Sequence, residues 1–150
     1  MVAYAPLDLD DAGLALIAHF EGCVLQEYLD TRGLRTIGFG HLCKPEESFQ
    51  NGITYAQATE MLHTDSASKV AAIKALVKVP LSQHEFDALC SLAFNIGVGG
   101  LSSSTVLRLL NQGDKQGAAE AFLMWCKAST PTELLGRRKE EEAFFLTPDA

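Results

Sequence analysis

Residues 21–41, EGCVLQEYLDTRGLRTIGFGH, decide how this chain folds and what it can do. Eight residues separate Glu21 from Asp30 and five separate Asp30 from Thr36, while Gly33, Gly38 and Gly40 punctuate the second half. Leu25 and Tyr28, the turn-forming Asp30-Thr31-Arg32-Gly33, then Leu34, Thr36 and Ile37 spell a small antiparallel hairpin, extended by a third short strand after His41. Gly38 and Gly40 leave little side chain, so a ligand or another backbone can come close there. Two carboxylates and one hydroxyl are the minimum kit for an inverting glycosidase, which needs an acid for the leaving oxygen and a base with a guide for the attacking water.

Upstream, Asp10 and Asp11 precede Leu14, Leu16, Ile17 and Phe20, an acidic N-cap followed by an apolar face at helical spacing. The helix should stop at Glu21-Gly22, which puts Glu21 at a helix C-terminus. The negative end of the helix dipole disfavours a second negative charge and so favours the protonated form that a proton donor needs.

Downstream, Pro45 to Gly52 reads as a loop, and Thr54 with Gln57 opens a second helix expected to run to Val79-Pro80. At about 24 residues and about 36 Å it is long enough to join two lobes. Ser82 with Glu85 opens a very apolar helix through Phe86, Leu89 and Phe94, the expected buried centre of the larger lobe. Gly97, Gly99 and Gly100 read as a flexible link, Ser102–Ser104 as the cap of a short helix closed by Gly113, and Asp114 as the start of another carrying Ala118, Phe122 and Trp125. Thr130-Pro131-Thr132-Glu133 combines a capping box with proline at the first helical position and leads into Arg137-Arg138 and the acidic run Glu140–Glu142. The expected sum is an α+β protein of five or six helices and one hairpin. It forms a single domain over 1–150, with a small lobe at about 13–60 and a helical lobe at about 80–150 plus the N-terminal helix.

The 150 residues suffice for one core, and 47% apolar with 21% charged residues is the composition of a folded globular chain. A formal net charge of −7 disfavours nucleic acid and anionic lipid as partners. No window has the roughly 18 apolar residues of a membrane span, and MVAYAPLDLDD lacks the basic and apolar regions of a signal peptide, so synthesis in the cytoplasm is expected. Cys23, Cys43, Cys90 and Cys126 form no CxxC pair, so neither a metal nor another cofactor is expected. Reduced, mostly buried thiols are the simplest reading, and Cys23 with Cys43, which flank the hairpin, is the pairing worth testing.

Around the triple lie TIGFGH and YxDxxG, and the segment resembles the active-site hairpin of the phage-type lysozymes, the endolysins of glycoside hydrolase family 24. Their pattern E-x8-D-x5-T is met by Glu21, Asp30 and Thr36. DALCSLAFNIGVGGLSSSTVLRLLN resembles the family's D-A-L…F-N-x-G…S-T-L…L-N segment, and LLGRRKEEE its G-L-x-x-R-R-x-x-E segment, so the likeness covers nearly the whole chain. The resemblance implies a lysozyme-like fold and a muramidase that hydrolyses the β-1,4 bond between N-acetylmuramic acid and N-acetylglucosamine in peptidoglycan, with inversion and no metal. Glu21 is then the acid, Asp30 the base or water guide, and the Thr36 hydroxyl the group that keeps the water in line.

The same resemblance implies that one of Arg137 and Arg138 pairs with Glu21, that His41 pairs with Asp65 as a structural rather than basic group, and that Asn95 lines the saccharide groove with an amide for an acetamido group. Trp125 either lines that groove too or is core alone. The family is often basic, whereas this chain is acidic, so attraction to an acidic cell wall is not built in. The expected route to the wall in the periplasm is holin-dependent release of a monomeric endolysin, or delivery as an antibacterial effector that would carry an immunity protein as partner. Two rivals stand beside hydrolysis: a peptidoglycan-binding or structural module without turnover, which has no need of a proton donor, and a lytic transglycosylase, which needs neither Asp30 nor Thr36.

Overall fold

In the computed structural model, which describes residues 8–126 and 131–149, the chain runs α1 (Asp11–Glu21), β1 (Val24–Leu29), β2 (Arg35–Gly38), β3 (His41–Leu42), α2 (Tyr55–Leu76) and α3 (Gln83–Ile96). It continues through α4 (Val98–Ser102), α5 (Thr105–Asn111), α6 (Lys115–Ala121), a 3-10 turn (Phe122–Met124) and α7 (Pro131–Leu146). Contacts divide it into two compact units, Leu14–Ala67 and Met1–Gly13 with Ser68–Ala150, and the divisions fall inside α1 and α2.

Within Leu14–Ala67, β1, β2 and β3 form one antiparallel sheet in sequence order. Ile37 and Phe39 of the hairpin, Leu14 and Ile17 of α1, and Ala58 and Leu62 of α2 are the buried apolar side chains of this unit. Gly38 has φ +69°, and a Cβ there would meet Ala58 Cβ at 3.5 Å and Ile53 Cδ1 at 3.6 Å. Close approach at Gly38 is thus by the start of α2, while Gly40 is exposed with open space around it. The capping box of α2 forms as its sequence dictates: Thr54 Oγ1 accepts from Gln57 N–H at 3.1 Å, and Gln57 Oε1 accepts from Thr54 N–H at 2.8 Å.

In the other unit α3 is the centre, with every residue from Phe86 to Ala93 buried and α4 and α7 packed against it. Its capping box, Ser82 with Glu85, is complete. Three expectations need correction here. The glycine-rich stretch after Ile96 is helix α4 rather than a flexible link, because Leu101 is fully buried on it. The second helix ends at Leu76, before Val79-Pro80, because Asn111 of α5 caps it from a distance: Nδ2 donates to Leu76 O at 3.0 Å, and Oδ1 accepts from Lys78 N–H at 2.8 Å. The helix opened by Asp114 ends at Ala121 and tightens into the 3-10 turn, leaving Trp125 just beyond it. Short segments raise the helix count to seven among the described residues. The capping box expected at Thr130–Glu133 lies outside the residues whose side chains are described, although α7 does start at Pro131.

Candidate active site

Glu21 is the last residue of α1 and is exposed. Asp30 follows the far end of β1, and an ordinary extended strand would hold the two carboxylates far apart. The strand is not ordinary. Val24 pairs with Gly38 and Tyr28 with Thr36, so four residue steps on β1 face two on β2. At about 3.3 Å per residue, the bulge reduces the Val24–Tyr28 span along the ladder from about 13 Å to about 7 Å.

The bulge is stitched to the loop before α2. Leu25 O accepts from Ile53 N–H at 2.9 Å, and Glu27 Oε2 accepts from Phe49 N–H at 2.6 Å. At Gly52, with φ +75°, a Cβ would sit 2.4 Å from Gln26 Nε2 and 2.7 Å from Leu25 O, so glycine alone lets the loop lie this close. Glu27 also holds Arg35 across the hairpin, Nε to Oε1 and Nη2 to Oε2 both at 3.0 Å, and Arg35 Nη2 reaches on to Glu47 O at 2.7 Å. The Arg35 pair, aided by Phe49 N–H, keeps the Glu27 carboxyl below its usual range.

Asp30 is held at both oxygens. Oδ1 accepts from the N–H groups of Arg32 at 2.8 Å and Leu34 at 3.0 Å, and Oδ2 from Arg32 Nη2 at 3.0 Å. The Leu34 N–H, with the Arg32 side chain and N–H, lowers the carboxyl from its ordinary value, so Asp30 is ionised at neutral pH. Thr36, only 3% exposed, donates its hydroxyl proton to Leu34 O at 2.9 Å. Its oxygen therefore keeps acceptor capacity alone.

His41 and Asp65 meet, Nδ1 to Oδ2 at 2.7 Å, and the other ring nitrogen faces Glu47 Oε1 at 3.0 Å. Burial pulls the imidazole down, but the bonds to Glu47 and Asp65 outweigh it and raise His41 above its ordinary value. Both ring nitrogens are thus occupied by carboxylates, and the protonated ring donates to each of them.

The remaining expected residues lie in the unit built on α3. A pocket of about 550 Å³ is lined there by Asn95, Ile96, Ser103, Ser104, Thr105, Met124, Trp125 and Leu134. Beneath it Arg138, fully buried, donates from Nη2 to Asn95 Oδ1, from Nε to Trp125 O at 2.9 Å and from Nη1 to Glu141 Oε1. Arg137 donates from Nε to Glu141 Oε2 at 3.0 Å and from Nη2 to Ser91 O at 2.9 Å. The Ser91 hydroxyl adds a 2.5 Å bond to Glu141 Oε2. The arginines are therefore a buried device rather than a solvated basic face.

Sequence reasoning missed Arg32, Glu27, Glu47 and Glu141. Only Glu141 left a legible signal, since Arg137 and Arg138 stand four and three residues before it on one helix. All four cysteines carry free thiols, Cys23 and Cys43 included. Among the described residues no three His, Cys, Asp or Glu side chains are placed to share a metal ion, and no helix is long and apolar enough to cross a membrane.

A three-stranded sheet carrying Thr36 and flanked by both carboxylates, in an otherwise helical chain, defines the lysozyme-like α+β class. The family model described as phage lysozyme matches residues 18–142, and the chain belongs to the phage lysozyme family. It is 44% identical over 145 residues to the endolysin of Salmonella phage P22, spanning 94% of this chain and 99% of that protein. Its fold is similar to the crystal structure of a P22 lysozyme mutant, with a TM-score of 0.88, 42% identity and coverage of 94% of this chain and 99% of the other. It is also similar to the muramidase domain of SpmX from Asticaccaulis excentricus, with a TM-score of 0.86, 35% identity and coverage of 95% and 99%.

Proposed function

We propose that the protein is a muramidase that hydrolyses the β-1,4 bond between N-acetylmuramic acid and N-acetylglucosamine in bacterial peptidoglycan by single displacement with inversion. Glu21, the last residue of α1, donates a proton to the glycosidic oxygen as the bond breaks. A water on the opposite face of the sugar gives one hydrogen to the Asp30 carboxylate and the other to Thr36 Oγ1, so its lone pair faces the anomeric carbon.

The observation that carries this reading is the commitment of the Thr36 proton to Leu34 O beside an ionised Asp30: two acceptors match the two hydrogens of one water. An inverting arrangement needs the carboxyl groups about 6.5–9.5 Å apart, and the β1 bulge acts in that direction. Asn95 and Trp125 are proposed to bind the sugar at the 550 Å³ pocket, one with its amide and the other with an apolar wall. Gly40, open and exposed, leaves room for the glycan, whereas Gly38 serves through its contact with Ala58.

One of Arg137 and Arg138 is proposed to pair with Glu21. The proposed place of action is the peptidoglycan of the periplasm, reached as a monomer by holin-dependent release in the endolysin manner.

The test is digestion of purified peptidoglycan by the wild type and by Glu21→Gln, with the new ends identified by mass spectrometry. Loss of the general acid should lower turnover by about 10²–10⁴-fold. Equal activity in both proteins would sink the mechanism, and anhydromuramic ends would make the protein a transglycosylase.

A further inference from the structure

A primary amide has two faces, an oxygen that accepts and a nitrogen that donates twice, and a pocket lined by one reads its ligand according to the face turned inward. For Asn95 that choice is made beneath the pocket. A guanidinium has donors only, so the Asn95 atom that meets Arg138 Nη2 is Oδ1. Arg138 cannot easily turn away: it is fully buried, its Nε is tied to Trp125 O at 2.9 Å, and its Nη1 is tied to the equally buried Glu141. Glu141 is fixed in turn by Arg137 Nε at 3.0 Å and by the Ser91 hydroxyl at 2.5 Å.

The other end of the amide is different. Among the described residues nothing accepts from Asn95 Nδ2, and there the sole buried side-chain polar atom without a partner is Asp87 Oδ2. Asn95 is exposed and lines the pocket with Trp125, so its Nδ2 donors are open to a ligand.

We propose that Arg138 is a specificity-determining positioning residue: by holding Asn95 Oδ1 it turns Nδ2 to the pocket and makes the site select a hydrogen-bond acceptor on the sugar, the carbonyl of an acetamido group. This rests on the reading of the pocket as a saccharide subsite of the muramidase. A de-N-acetylated sugar presents an ammonium at the same carbon, which offers only donors and meets both Nδ2–H and a neighbouring guanidinium. An inverting mechanism does not use the acetamido group as a nucleophile, but an ammonium at C2 also opposes the positive charge that develops at the anomeric carbon and lowers kcat, so the contribution of Asn95 is read from KM and from how the variants change it. Replacing Asn95 by Asp leaves one oxygen to accept from Arg138 and turns a second, negatively charged oxygen to the pocket, where it favours the ammonium sugar.

The experiment measures kcat and KM for the wild type, Asn95→Asp and Arg138→Lys on glycan strands of one peptidoglycan before and after de-N-acetylation, with Glu21→Gln as the inactive control. One hydrogen bond of ordinary strength corresponds to a wild-type KM about tenfold lower for N-acetylated strands. Asn95→Asp should reverse the preference in KM, and Arg138→Lys, which loses the guanidinium fork, should narrow it. Asn95→Asp preserves an acceptor for Arg138 and decides the question even if Arg138→Lys fails to fold. Wild-type cleavage with an unchanged preference ratio in Asn95→Asp overturns the inference and leaves the muramidase reading standing. A wild type that cleaves neither strand overturns both.

Discussion

Asp87→Asn should make this protein more stable, and increasingly so as the pH rises toward 8. Asp87 on α3 is fully buried. Its Oδ1 accepts from Gln83 Nε2 at 2.8 Å, but Oδ2 has no donor. A carboxylic acid resolves this, because a proton on Oδ2 can be donated to the neighbouring Asp10. Asp10 is the N-cap of α1 and accepts Gly13 N–H at 2.8 Å. The packing is tight, for a Cβ at Gly13 would sit 2.5 Å from Asp87 Cγ and Oδ1. Burial, reinforced by the hydrogen bond to Asp10, pushes the Asp87 carboxyl from 3.8 up to about 8.

Between those two values the folded protein holds the proton and the unfolded chain does not, so each pH unit favours unfolding by about 1.4 kcal/mol until the folded group also ionises. At pH 7 that is roughly three units, or about 4 kcal/mol, and Asp10, lowered by the same hydrogen bond, returns part of it, leaving about 2–4 kcal/mol. Asparagine keeps the acceptor for Gln83, supplies an N–H to Asp10 and never ionises. Urea unfolding of both proteins at pH 5, 6, 7 and 8 should give a stability difference that is about 1 kcal/mol at pH 5 and grows with pH. Taking the difference cancels every group the two proteins share, His84 and Cys90 near the pair included. An Asp87→Asn protein less stable than the wild type at pH 7, or a difference that does not change with pH, would refute the shared proton.

Glu141→Gln should act in the opposite direction, because it removes the carboxylate shared by two buried guanidiniums. Breaking a buried pair costs about 3–5 kcal/mol, a fall in Tm of roughly 6–20 °C for a domain of this size, and a shift under about 2 °C by calorimetry would show that the cluster contributes little. His41 is raised by its bonds to Glu47 and Asp65, and Glu47 is lowered by Lys44 N–H and then by His41, so the histidine's contribution is complete below its unfolded value of 6.5 and fades as pH rises through the folded one. The glutamate's contribution is complete above 4.5 and fades as pH falls. Stability from this group is therefore greatest between about 4.5 and 6.5, and His41→Gln should cost about 1–2 kcal/mol there and less at pH 8, with the imidazole titration followed by NMR. An imidazole titrating below 6.5 would rule out the double clamp.

What was legible in the sequence is what forms over a few residues. Thr54 with Gln57 and Ser82 with Glu85 close their capping boxes three residues apart, and the turn at Asp30–Gly33 needs no distant help. Misread features were settled by side chains far along the chain. The end of α2 depends on Asn111, 35 residues beyond Leu76. Glu141 has both arginines one turn before it, yet nothing local in the acidic run Glu140–Glu142 shows that it alone is fully buried. Its ties to Ser91, 50 residues away, belong to the packing of α7 on α3 and not to local spacing. Glu27 and Arg35 sit in a visible hairpin, but their purpose became clear only with the loop at 47–53 laid against them.

Both intervals of the E-x8-D-x5-T pattern have a physical reason in this fold. The first is long because two of its residues are taken up by the bulge. The second follows from the turn. Gly33 N–H bonds to Asp30 O at 2.9 Å, and Asp30 N–H bonds to Leu34 O at 2.9 Å, so Leu34 lies opposite Asp30 across the turn. Leu34 N–H then holds the Asp30 carboxylate, while Leu34 O takes the Thr36 proton. Thr36 lies two residues beyond Leu34, which in a strand returns its side chain to the same face. One residue fewer would turn the hydroxyl to the other face, and one more would do the same. A single residue, Leu34, thus binds the Asp30 carboxylate through its N–H and takes the Thr36 proton through its carbonyl, so the two acceptors on which the proposed mechanism relies are placed together by the closing of one turn.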